Sequence, residues 1–293
     1  MSKNKIEEYA GLTEKKLSEL LLTEEVPYKT LLESMSYSIF AGGKRVRPYL
    51  ALEFCEMCGA DKETALNYAA AAEMIHTFSL IHDDLPGMDN DDYRRGRPTN
   101  HKVYGEATAI LAGDALVFKA LETAASSPLS PSQNVEAVRL LCEKSGARGM
   151  CGGQQIDLEG EKRDLNTDEI LLMYELKTSA LLSMSCRLGV IAANGSDEEK
   201  KAAEAFGEYF GKAFQIIDDL LDLDGDPNLL GKSVGSDEKN DKSTIVKNIG
   251  KEKASRLASE YTEKAKNSLS VFRDNEAKTR LLEFCDKMLC RKN

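Results

Sequence analysis

The chain has 293 residues, 42% of them hydrophobic, with 39 Lys and Arg against 49 Asp and Glu and a formal net charge of −10. That length suffices to bury a sizeable core, and the acidic balance argues against nucleic acid or an anionic membrane as partner, since such binders present a basic surface. It leaves room for a phosphorylated substrate, because local cations or metals can outweigh the global field. No stretch reaches the roughly 20 mainly apolar residues of a membrane-spanning helix; the most apolar one, 69–81, is interrupted by Glu73 and His76. The N-terminus carries no apolar signal region. The seven cysteines are expected to be reduced thiols of a cytoplasmic protein. Cys55 and Cys58 form one CxxC pair, but the other ligands of a zinc site are missing.

In chain order, the first feature is Gly42-Gly43-Lys44-Arg45-Val46-Arg47-Pro48. It is not a P-loop, because Arg45 stands where Ser or Thr is required. His76, Ser79 and Asp83 then fall at i, i+3 and i+7, one face of a helix. The acidic run Asp83-Asp84-Leu85-Pro86-Gly87-Met88-Asp89 follows, and Pro86-Gly87 is placed to bend Asp89 back toward Asp83. Arg94 and Arg95 come next. Ser130-Pro131 opens a helix, with proline tolerated in the first turn. Asn166 with Glu169, and Ser196 with Glu199, read as capping boxes that open two more. Phe206, Phe210, Ala213, Ile217 and Leu220 or Leu221 make an apolar stripe at helical spacing. On that helix Asp218 and Asp222 share a face, Gln215 sits one turn earlier, and Asp219 lies about 100° round. Residues 224–243 read as a Gly/Asp-rich loop carrying Lys232 and Lys242. No runs of Val, Ile and Thr at period two occur. The expectation is one all-α domain spanning 1–293, with roughly ten or more helices at about 11–12 residues each.

Two aspartate clusters dominate the chemistry. Carboxylates this dense repel one another and need a counter-charge. Mg²⁺ supplies it, and such sites usually use one or two carboxylates together with substrate phosphates. With basic residues after each cluster, the pattern suggests a protein that grips diphosphate groups between metals and Arg or Lys.

These residues resemble a known family. Ile81 to Thr99, centred on Asp83-Asp84 and Asp89, looks like the first aspartate-rich region of the trans-prenyltransferases, the polyprenyl diphosphate synthases, and Phe214 to Asp222 looks like the second. Gly42 to Pro48 is similar to the family's isopentenyl diphosphate motif, and Lys177-Thr178 to its central lysine motif. The resemblance runs from about residue 30 to 250, in the family's order, and the spacing of the first motif resembles the bacterial and plant branch. It implies an isoprenoid-synthase-type helical bundle around a central cavity, a homodimer, and Mg²⁺ as cofactor. Asp83, Asp84, Asp89, Asp218, Asp219 and Asp222 would bind the metal. Arg94, Lys177, Lys232 and Lys242 would help hold an allylic diphosphate. Lys44, Arg47, His76 and Arg95 would hold isopentenyl diphosphate, with Thr178 and Gln215 lining the site between them. Asp83, Asp84, Asp89, Asp218, Arg94 and Lys177 would carry catalysis, and no protein nucleophile is required.

Product length hangs on residues just before the first motif. Phe78 is five before Asp83 and Ser79 four before. In family terms an aromatic at the fifth position accompanies synthases that stop at C15, so (E,E)-farnesyl diphosphate is expected, with the C20 geranylgeranyl product as the alternative. Phe78 could instead face the bundle core.

Other readings fit less well. The 222–226 stretch brushes the EF-hand pattern, but Pro227 and Ser233 occupy its glycine and glutamate positions. It also faintly resembles a haloacid-dehalogenase motif, which follows a strand rather than a helix. His82-Asp83 suggests a metal phosphohydrolase, yet with His76, His82 and His101 alone the ligand set is wrong. A terpene cyclase would carry a different second motif, and a silent partner subunit would have lost some of these charges. His101 is open between a structural place and one near the diphosphate.

Overall fold

The computed structural model describes residues 3–224 and 243–289, and the fold is all-α. Its helices, in chain order, are α1 (Lys3–Leu20), α2 (Lys29–Ile39), α3 (Val46–Met57), α4 (Leu66–Asp83), α5 (Asn100–Tyr104), α6 (Glu106–Ala125) and α7 (Pro131–Ser145). They continue with α8 (Met150–Gly160), α9 (Thr167–Tyr174), α10 (Ala180–Ala192), α11 (Asp197–Asp224), α12 (Ile245–Ile249), α13 (Lys251–Ser268) and α14 (Glu276–Leu289). Lys232, Lys242, Pro227, Ser233 and most of the expected 224–243 loop lie outside the described residues.

The helix starts follow local hydrogen-bonding chemistry. Ser130 and Gln133 form a reciprocal capping box with Pro131 in the first turn of α7, and Asn166 with Glu169 does the same for α9. At α11 the Glu199 N–H donates to Ser196 Oγ (3.2 Å) and the Ser196 N–H to Glu199 Oε2 (2.8 Å). Each box satisfies donors that a helix start otherwise leaves unpaired.

Burial then orders the helices. The apolar stripe of α11 is inward throughout, with Phe206, Phe210, Ala213, Ile217, Leu220 and Leu221 all buried. Helix α10 is buried along nearly its whole length and packs between α3 and α11, while α4 packs on α6 and α11 on α13. Small residues set the closest approaches. A methyl group at Gly207 would overlap the backbone of Ser183, and one at Gly153 the backbone nitrogen of Lys177.

Two local features depart from the sequence reading. Residues 93–98 form a two-stranded antiparallel ribbon, β1 (Tyr93–Arg94) and β2 (Arg97–Pro98), where no strand is expected. Its turn places Arg95 at φ 53° and Gly96 at φ 75°, the paired positive angles of a tight hairpin. Between α9 and α10 the chain makes a π-helical turn, Glu175–Ser179, which carries Lys177 and Thr178. Such bulges occur often at functional sites.

The loop before α3 is pinned from inside. Arg45 sits at φ 48°. Its guanidinium donates to Glu73 Oε1 (2.8 Å), to the Ile39 carbonyl (2.6 Å) and to Glu14 Oε1 (3.3 Å). Arg45 and Glu73 are only 3% and 2% exposed, so this ion pair ties the glycine-rich loop to α4. The CxxC pair has no such role. Cys55 and Cys58 are both free, and burial pushes each thiol up to about 12, away from metal-binding thiolate chemistry.

Breaking a buried ion pair from one side costs roughly 3–5 kcal/mol, because the other charge stays buried. Glu73→Ala is therefore expected to lower the stability by about that amount in urea unfolding. A loss below about 1 kcal/mol, the level of a surface ion pair, would mean that Arg45 is not anchored as described.

Candidate active site

The first aspartate motif lies where α4 ends. The chain turns at Pro86-Gly87, and the Asp89 N–H donates to the Asp83 carbonyl (2.9 Å), which returns Asp89 to the end of the helix. Burial raises the Asp83 carboxyl to about 6; Asp89 and Asp84 push the same way, while Lys177 and Arg94 oppose them. Asp84 turns inward. It is 3% exposed, and Arg94 donates Nε to both its oxygens (2.7 and 2.9 Å) and Nη2 to Oδ1 (2.6 Å). The β1–β2 ribbon delivers that arginine. Two residues expected on metal and on diphosphate are thus engaged with each other.

The second motif divides in the same way. Asp218 and Asp222 are half-buried near the end of α11, whereas Asp219 is 4% exposed. The Tyr174 hydroxyl donates to Asp219 Oδ2, and Gln215 Nε2 donates to Oδ1 (3.3 Å). Thr178 Oγ1 in turn donates to Gln215 Oε1 (3.1 Å), which fixes the amide's orientation. Tyr174 also accepts the Ile245 N–H that opens α12 (3.0 Å). The π-turn therefore couples both motifs: Lys177 acts electrostatically on Asp83, and its neighbour Thr178 holds Gln215 against Asp219.

A cavity of about 530 Å³ opens beside the first motif. Asp83, Lys177, Thr178, His76 and Arg47 form its polar part, and Phe78, Ile110, Met150, Leu158 and Leu181 contribute apolar wall, so Phe78 faces the cavity. Ser79 also lines it, with its hydroxyl turned back to the His76 carbonyl (2.8 Å). A second cavity of about 620 Å³ is lined by Lys44, Lys287, Phe214 and Met288, and it shares Arg47 and Thr178 with the first.

Positive charge collects where the two cavities meet. Arg47 is buried enough that its guanidinium falls to about 10, and its Nε has no hydrogen-bond partner. Burial, then Arg47, Arg95, Arg94 and Arg45, holds His76 well below its usual value, so the imidazole is neutral. Arg95 donates to the Gly42 carbonyl, packing its guanidinium where Gly43 has no side chain. A buried guanidinium with an unused donor next to a cavity suits an anionic ligand.

Among the described residues, no three His, Cys, Asp or Glu side chains form a self-sufficient metal site. The backbone bond from Asp89 to Asp83 brings these two acidic residues together, and burial with Asp89 and Asp84 outweighs Lys177 and Arg94 in raising the Asp83 carboxyl. That arrangement fits Mg²⁺ held jointly by carboxylates and substrate phosphates. His101 is buried, with Nδ1 3.2 Å from Thr99 Oγ1.

Several residues here escape sequence reasoning. Gln154 and Gln155 line the first cavity, and Gln154 Nε2 is buried without a partner. Asp157 accepts from Lys177 Nζ (2.5 Å). Their signal is the Gly152-Gly153 pair, which lets α8 approach the π-turn. Tyr174 has no motif signal at all. Removing its hydroxyl leaves a buried carboxylate oxygen and a buried N–H short of a partner, at roughly 1–3 kcal/mol per group. Tyr174→Phe is expected to lose stability on that scale in chemical unfolding; a change within about 0.5 kcal/mol would mean the hydroxyl is not what holds Asp219.

Comparison with known proteins agrees with this geometry. The sequence model of one family, polyprenyl synthetase, matches residues 28–282. The chain is 42% identical over 292 residues to a heterodimeric geranylgeranyl pyrophosphate synthase large subunit of Arabidopsis thaliana, covering 96% of this chain and 78% of that one. It is 41% identical to the farnesyl diphosphate synthase of Bacillus subtilis over 89% of each chain. Among solved structures, geranylgeranyl pyrophosphate synthetase from Pyrococcus horikoshii superposes with a TM-score of 0.89 at 33% identity, covering 97% of this chain and 96% of that one. An aspartate-motif site on an all-α frame, matched in sequence and structure over most of the chain, makes the chain a member of the polyprenyl synthetase family and a trans-prenyltransferase.

Proposed function

We propose that this enzyme condenses isopentenyl diphosphate head-to-tail with dimethylallyl and then geranyl diphosphate, releasing diphosphate and stopping at farnesyl diphosphate. The observation that carries the C15 assignment is that Phe78 faces the cavity. Five residues before Asp83 on a helix is about 7.5 Å along its axis. A chain growing from a diphosphate held at Asp83 would meet that ring. The competing product is C20, which the names of the Arabidopsis and Capsicum annuum relatives favour.

The residues divide the work as follows. Asp83, Asp89, Asp218 and Asp222 face the allylic diphosphate, with Asp84 and Asp219 holding the two motifs in shape. The outer carboxylates would hold Mg²⁺, which would supply charge neutralisation for the departing diphosphate. Lys177, kept in place by Asp157, and Arg94 add positive charge on the same side, and Lys232 and Lys242 are proposed to join them. Arg47, Arg95, Lys44 and neutral His76 hold isopentenyl diphosphate, whose double bond attacks the allylic cation. Gln215 and Thr178 keep the two halves in register.

We further propose one polyprenyl synthetase domain that works as a homodimer in the cytoplasm. On α6 the side chains of Ile110, Leu111 and Phe118 are 43%, 56% and 71% exposed, an apolar face of the kind a partner subunit covers. The six described cysteines that are free suit a reducing compartment. No described helix is long and apolar enough to cross a membrane.

Removing preorganised charge stabilisation typically costs about 10²–10³ in turnover. Asp83→Ala and Asp218→Ala are each expected to lose at least that factor while circular dichroism stays helical; near-normal turnover in both would refute the metal wall. Phe78→Ala is expected to shift the product of the geranyl diphosphate reaction to C20 or longer, read by chromatography of the dephosphorylated prenols. An unchanged chain-length distribution would remove Phe78 from the end of the tunnel.

A further inference from the structure

The ring of Phe78 does not stand alone. Phe78 and His82 are i and i+4 on α4, so their side chains share a face, and both line the first cavity. Their rings meet edge to face, with centroids 5.2 Å apart and planes at 84°. A phenyl ring has no polar group to fix it, so its position depends on what packs against it. His82 is itself fixed from the far side. Its Nε2–H donates to the Ile110 carbonyl of α6 at 3.1 Å, and Asp114 Oδ1 lies 3.9 Å away. The flat of α6 at Gly113 completes the seat. A methyl group there would overlap Nε2 and Cδ2 of the imidazole.

We infer that His82, seated on α6 at Gly113, positions the Phe78 ring and so determines product length together with it. This rests on the proposed reading of Phe78 as the end of the tunnel. The brace acts through packing. With the imidazole in its seat, the space beside Phe78 is filled and the ring cannot swing away from the cavity. Without it, the ring gains a neighbouring void and the cavity lengthens. Gly113 matters because the far end of a histidine side chain can move. An alanine there displaces the imidazole rather than preventing the fold.

The test compares product distributions made from geranyl and isopentenyl diphosphates at saturating Mg²⁺ by His82→Ala, His82→Phe, Gly113→Ala and Phe78→Ala. Each distribution is a ratio formed within one variant, so a slower enzyme does not bias it. The expected results are longer products from His82→Ala, near wild-type length from His82→Phe, which refills the seat with a ring, and an altered ratio from Gly113→Ala. If Phe78→Ala lengthens the product while His82→Ala and Gly113→Ala both keep the wild-type distribution, the brace is wrong and the Phe78 reading stands. If Phe78→Ala has no effect, the tunnel reading fails first. Should His82→Ala not fold, Gly113→Ala against wild type decides alone, and an unchanged ratio overturns the inference.

Discussion

The rest of the site depends on one electrostatic constraint: carboxylates gathered at the C-terminal ends of two helices. Asp83 is the last residue of α4, and Asp218, Asp219 and Asp222 lie in the final turns of α11. A helix C-terminus already carries about half a negative charge. Acidic side chains there add like charge to like charge; at Asp83 burial, with Asp89 and Asp84 pushing the same way, raises the carboxyl to about 6. For Asp83, Lys177 and Arg94 oppose the rise without cancelling it. The fold relieves the middle carboxylate of each motif internally, pairing Asp84 with Arg94 and Asp219 with Tyr174 and Gln215. Under the proposed function, cation and diphosphate together would complete the charge balance of what remains.

The cationic side has the complementary problem. Arg47, Arg95 and His76 stand close enough that burial and mutual repulsion lower their proton affinities. Holding such groups together takes structure that binds nothing itself. The buried Arg45–Glu73 pair anchors the loop before α3, the β1–β2 ribbon aims Arg94 and Arg95, and Gly43 leaves room for a guanidinium. The π-turn at 175–179 then links the halves, with Lys177 acting on Asp83 and Thr178 on Gln215.

Much of this was legible in the sequence, for identifiable reasons. Helix starts at Ser130, Asn166 and Ser196 follow from local capping chemistry, and the inward face of α11 from the 3.6-residue period. The return of Asp89 toward Asp83 follows from Pro86-Gly87. What escaped depends on contacts between distant segments. Asp84 and Asp219 look identical to their neighbours as letters; only their partners, ten and forty-five residues away, separate them from the outer carboxylates. Lys177 and Asp157 are twenty residues apart and meet because Gly153 lets α8 approach. The ribbon at 93–98 is too short for a period-two pattern to register, although Arg95-Gly96 carries the turn signal. The π-turn has no sequence signature at this length.

The central claim is that metal and diphosphate bind as one unit between preorganised charges. It is tested most directly by calorimetric titration of an unreactive allylic diphosphate analogue, with Mg²⁺ and with a chelator, and of Mg²⁺ into the protein alone. The account predicts analogue binding that depends on Mg²⁺, and Mg²⁺ binding that is weak until the analogue is present. Equal analogue affinity in the chelator, or tight Mg²⁺ uptake by the ligand-free protein, would contradict it.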